Sequence, residues 1–129
     1  MLRYIFWLSL LISGNGQASE CALFMTVNNY TTQKAVLIAA PSTMHNLVGE
    51  EILVPGEVFI AKFDRPEHIK PYLVYRLKNQ QTQGQCYLQA QSYHPKISCT
   101  GPFRVESIYL GENSYEFSLY DNPAAKSGL

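Results

Sequence analysis

Long hydrophobic runs, blocks of like charge and glycine-rich loops are all scarce in this 129-residue chain. The longest apolar stretch, residues 4–12 (YIFWLSLLI), covers nine residues, where a membrane-spanning helix needs roughly 20. The glycines at 49, 56, 84, 101, 111 and 128 are isolated turn markers, so there is no phosphate-cradling loop and no nucleotide cofactor is expected. Ten Lys and Arg balance ten Asp and Glu, giving net charge +0. The two signs alternate along the chain, so its linear pattern offers no basic block for nucleic acid. A long basic amphipathic helix is also lacking, which weakens a membrane-surface reading. The single tryptophan, Trp7, falls near the N-terminus, so the cysteine–tryptophan spacing of immunoglobulin domains is missing. Neither an HExxH nor a G-x-S-x-G motif occurs, and with them go two familiar hydrolase designs.

What is present begins with a leader. Arg3 and the amino terminus form a positive region, 4–12 an apolar one, and Ser13–Ala18 a small, polar one. That layout predicts a secretory signal over 1–18, hence a secreted or periplasmic protein. Glu20 directly before Cys21 argues against lipid attachment at that cysteine.

The remainder reads with a period of two. Strands are expected at 22–28, 35–39, 51–54, 57–63, 72–78, 85–91, 96–100, 104–111 and 114–120, with the less regular 44–50 left between them. Gly111-Glu112-Asn113 predicts a tight hairpin, and 123–129 a frayed tail. Short strands at this spacing, each with one apolar face, predict a single all-β domain over 19–122. The expected fold is an antiparallel β-sandwich, loosely immunoglobulin-like, with a small closed β-barrel as the alternative.

Three cysteines allow three single pairings. A two-residue turn at Ser92–Tyr93 sets Cys86 opposite Cys99 across a hairpin, whereas a four-residue turn leaves them diagonal. Cys86–Cys99 is the preferred disulfide, with pairings to Cys21 as alternatives. No second close cysteine pair completes a tetrahedral zinc site.

The three histidines, His45, His68 and His94, fall in loops. Met44 and His45 with His94 form a weak alternative metal set, soft enough for copper. Ser92 and His94 lack an elbow and a third group, so catalysis by them is not expected. Glu106 and Glu116 could approach across the last hairpin, but as a solvated pair. The tyrosine supply is the stronger feature, with eight of nine beyond the leader. Tyr30, Tyr87, Tyr93 and His94 are the candidate contact residues, because exposed tyrosine gives large contact area at low entropic cost. The sequon Asn29-Tyr30-Thr31 reads otherwise as a turn. The composition points to an exported module that binds a protein or glycan. A component of an envelope or secretion assembly is the first alternative, and a periplasmic copper protein the second. No enzyme, cofactor, nucleic-acid partner or stable membrane insertion is expected.

Overall fold

Alternation decides most of the elements. Along residues 23–29 every second side chain is buried and the others are half-exposed, the pattern of a strand with one face on a core. The computed structural model describes residues 22–64, 70–78, 83–91 and 94–123. Among these lie ten strands: β1 (Leu23–Asn29), β2 (Ala35–Ala39), β3 (Met44–Val48), β4 (Ile52–Leu53) and β5 (Val58–Phe63), followed by β6 (Tyr72–Lys78), β7 (Gln83–Gln89), β8 (Lys96–Cys99), β9 (Phe103–Gly111) and β10 (Ser114–Asp121). The leader expected at 1–18, Cys21, His68, Tyr93 and residues 124–129 lie outside the described residues.

The strands form two five-stranded sheets, ordered β3-β5-β1-β10-β9 and β4-β2-β6-β7-β8, and no closed barrel. Their inward faces meet in one core that includes Met25, Val27, Phe59, Phe63, Leu73, Tyr75, Leu77, Leu88, Phe117 and Leu119. Each fully buried side chain of this size contributes about 1.5–3 kcal/mol of transfer free energy. Phe59 of the first sheet meets Tyr75 of the second edge-on, centroids 6.5 Å apart and planes at 80°, the geometry that the ring quadrupoles favour.

Two features depart from the expected pattern. β3 occupies a segment with no alternation, because it is an edge strand with a bulge between Asn46 and Val48 and four of its five residues exposed. The pairing is antiparallel throughout except between β1 and β10, which run parallel. A parallel pair needs a long crossover, and here the rest of the domain supplies it.

The end of the sandwich where β8 leads into β9 is tight. A Cβ on Gly84 would stand 2.3 Å from the Thr100 carbonyl oxygen and 2.7 Å from the Phe103 ring. The absence of a side chain at Gly84 therefore lets Phe103 close over β7. The expected hairpin at 111–113 is present, with Glu112 and Asn113 both at positive φ (53° and 62°), as a two-residue turn matching the twist of its strands requires.

Candidate functional site

The β1–β2 connection shows how local sequence fixes structure. Asn29 is buried, and its Nδ2 donates to the carbonyls of Gln33 (2.8 Å) and Leu53 (2.7 Å). Its Oδ1 accepts the Thr31 N–H at 3.0 Å and lies 2.7 Å from the Thr31 hydroxyl. The side-chain amide is thus fully used inside the fold, so the sequon at 29–31 serves as an Asx turn, with no freedom to carry a glycan.

Of the expected contact residues, Tyr30 is 56% exposed and stands on the first sheet. Its ring stacks on Tyr120 (5.5 Å, 24°), and the Arg104 guanidinium lies 4.4 Å from the Tyr120 centroid. Both neighbours of Tyr120 are therefore occupied from the adjoining strands. Charges on this side are matched locally: Arg104 pairs with Glu106, and Asp64 takes both His45 (3.1 Å) and Lys62 (3.8 Å). Glu116 accepts from Asn28 at 2.7 Å. Glu106 and Glu116 sit diagonally, since Glu106 opposes Ser118 and Glu116 opposes Ile108.

Met44 packs against the core, and His45 lies on the β3 edge against Asp64. His94 is exposed in the β7–β8 connection of the other sheet. β9, at the far edge of the first sheet from β3, packs beside β7 and β8, so His45 and His94 fall on opposite edges of the sandwich. Among the described residues there is no group of three or more His, Cys, Asp or Glu that could hold a metal ion.

The disulfide is Cys86–Cys99, with Cα atoms 4.1 Å apart. The two residues are directly opposed, in the register that includes Leu88–Ile97 and Gln89–Lys96. The last ladder pair is Gln89–Lys96, and beyond it the His94 N–H donates to the Gln91 carbonyl at 3.0 Å. Gln91 and His94 are thus joined in the register that the expected two-residue turn sets, while Ser92 and Tyr93 themselves lie outside the described residues.

Tyr87 lies on the outward side of the second sheet, and there the sequence reading missed the most. Outward positions of β6 are Tyr72, Val74, Arg76 and Lys78. Those of β7 are Gln83, Gln85, Tyr87 and Gln89. β8 adds Lys96 and Ser98, with Lys96 opposite Gln89 and Ser98 opposite Tyr87. Exposed Lys34 and Lys70, just ahead of β2 and β6, continue the same outward register. Three cations, Arg76, Lys78 and Lys96, thus hold outward strand positions that carry no Asp or Glu, with Lys34 and Lys70 just ahead of β2 and β6, while Glu50, two residues before outward Ile52, stands at the β4 edge of the same face. Among the described residues none of the five forms an ion pair.

Arg76 and Lys78 are two residues apart on one strand, about 7 Å. At that distance like charges repel by about 0.6 kcal/mol even in bulk water. Val36, Val74 and the stacked pair Tyr72–Tyr87 (6.2 Å, 15°) give the middle of the face an apolar, aromatic patch. Among the described residues, open grooves also lie around the β2–β3–β4 connections. The larger, about 670 Å³, is lined by Glu50, Ile52, Val54, Glu57 and Val58 among others, and the smaller, about 320 Å³, includes Leu37, Pro41 and Glu51.

The sequence matches no protein-family model, and no curated protein aligns with it significantly.

Proposed function

We propose that this chain is an exported interaction module, loosely immunoglobulin-like in architecture, that holds an anionic partner against the outward side of its second sheet. One observation carries the reading: Arg76, Lys78 and Lys96 hold outward strand positions of one face, flanked by Lys34 and Lys70, and no strand position there is acidic, the nearest acid in register being Glu50 at the β4 edge. A surface selected only for solubility mixes both signs, as the first sheet does with its Arg104–Glu106 and Lys62–Asp64 pairs. An unpaired single-sign face raises the local concentration of opposite charge and steers its approach. No helix among the described residues is long and apolar enough to cross a membrane.

The test compares two variants of equal charge loss, one on each sheet. Arg76→Ala with Lys78→Ala should weaken binding to immobilised dextran sulfate at least ~10-fold at about 0.15 M salt. Lys62→Ala with Arg104→Ala should leave it within ~2-fold, because those cations are already paired. Equal losses in both variants would overturn the reading, and so would no loss in either.

A further inference from the structure

We infer that a second copy of this chain pairs antiparallel with the exposed edge of β9, joining the first sheets of two molecules into one. The interface lies in the plane of the first sheet and leaves the outward side of the second sheet open. A contrast among the sheet edges points to it. An edge strand leaves backbone donors and acceptors open to another chain, and proteins blunt such edges with short strands, bulges, proline and lysine. β4 has two residues, β8 has four and begins at Lys96 directly after Pro95, and β3 is bulged between Asn46 and Val48. β9 is also an edge, yet it is the longest strand, nine residues without proline or lysine. Its outward positions are Arg104, Glu106, Ile108 and Leu110, so its charges are confined to the first half. Ile108 (57%) and Leu110 (59%) are the most exposed large apolar side chains among the described residues.

Charge complementarity names the occupant and its register. Opposed residues of an antiparallel pair stand ~4.5–5.5 Å apart at Cα; opposite charges there stabilise the ladder and like charges destabilise it. A two-fold axis through Ile108 sets Ile108 against its own copy and Leu110 beside the aliphatic stem of Glu106. It also sets Arg104 opposite Glu112, the exposed turn residue just past Gly111, once at each end of the pairing. Moving the axis to Tyr109 would oppose Glu106 to Glu112, two acids. Moving it to Ser107 would set Arg104 against Leu110 and Glu106 against Ile108, so both charges would face apolar groups. β9 therefore carries, in one strand, the apolar pair and the base and acid that an antiparallel copy of itself requires. Such an interface is isologous and closes at two molecules.

Sedimentation equilibrium of the full mature chain, from ~10 μM to ~1 mM, measures the association. Non-reducing electrophoresis first removes from account any species linked through Cys21. The mass is expected to rise toward that of two chains over this range. Ile108→Lys sets two like charges against each other on the axis and should raise the dissociation constant at least ~10-fold. Circular dichroism of this surface variant verifies that the fold is intact. Charge exchange then tests the register. Arg104→Glu and Glu112→Arg each place like charges opposite one another at both ends, so each variant alone should associate at least ~3-fold more weakly than the parent. An equimolar mixture of the two restores both opposite-charge pairs and should associate at least ~3-fold more tightly than either alone. A chain that stays monomeric to ~1 mM would overturn the proposal and leave the edge to a foreign strand. A dimer unaffected by Ile108→Lys, or a mixture no tighter than its components, would overturn it as well.

Discussion

Among the described residues, Tyr75 is the one whose buried side-chain polar atom is left without a partner: its hydroxyl has no hydrogen bond although the ring is fully enclosed. Burial first, and then the charge of Glu51, push its pKa far above the ordinary tyrosine value. The consequence for stability has a definite sign. Below the ordinary value, near ~10, folded and unfolded chains both hold the proton and stability is undiminished. Above it the unfolded chain releases the proton while the folded chain keeps it, so stability falls as pH rises. Tyr75→Phe removes the hydroxyl while keeping the ring. At neutral pH the variant should be as stable as the parent or more so, by up to ~1–3 kcal/mol, since the unsatisfied group is gone. Between about pH 9 and 11 it should lose less stability than the parent. Urea midpoints of the two proteins across that range check both statements, and identical slopes would refute the second. The phenol's place in the core was legible from the alternation of Leu73, Tyr75 and Leu77. Its missing partner was not, because that depends on which groups the facing strands bring near.

At the level of elements, β8 is a four-residue edge strand held by pairing to β7 and by the Cys86–Cys99 bond. Closing a loop of sequence separation 13 restricts the unfolded chain by about 3 kcal/mol in the entropic account. Replacing both cysteines with serine should therefore lower unfolding free energy by roughly that amount, and amide exchange in β8 should accelerate before exchange in β6. Chemical denaturation with hydrogen exchange measures both, and a loss under ~1 kcal/mol would contradict the entropic reading. The pair was readable in advance because both cysteines sit on one face of neighbouring strands joined by a short connection. β3 was not readable: an exposed, bulged edge strand has no core face to impress a period of two on its sequence. The parallel β1–β10 pairing was equally hidden, since no local turn signals a contact between the two ends of a domain.

For the whole molecule, neutrality conceals an uneven distribution. The described acids, Glu50, Glu51, Glu57, Asp64, Glu106, Glu112, Glu116 and Asp121, belong to the first sheet or to connections, and the outward strand positions of the second sheet hold only cations and neutral groups. In the sequence, Lys34 and Lys70 are separated by four described acids, Glu50, Glu51, Glu57 and Asp64, so no basic block exists to be seen. Alternation alone places Arg76 beside Lys78 on one face. Adding Lys96 and Lys34 requires the order β2-β6-β7-β8, which only the folded chain supplies. Tyr87 was identified as a contact residue from its alternation, while its neighbours Arg76, Lys78 and Lys96 went unread for want of that order. Tyr30, a candidate because it falls in a loop, stands instead on the charge-matched sheet, against Tyr120.

The central claim is that an anion meets the outward side of the second sheet. A nitrogen–proton chemical-shift map of the folded chain, recorded during titration with dextran sulfate, tests it most directly. The expected perturbations gather at Arg76, Lys78, Gln85, Tyr87 and Lys96, with Arg104, Glu106 and Glu116 unmoved. Perturbations centred on the first sheet, or on the groove lined by Glu50, Val54 and Glu57, would contradict it.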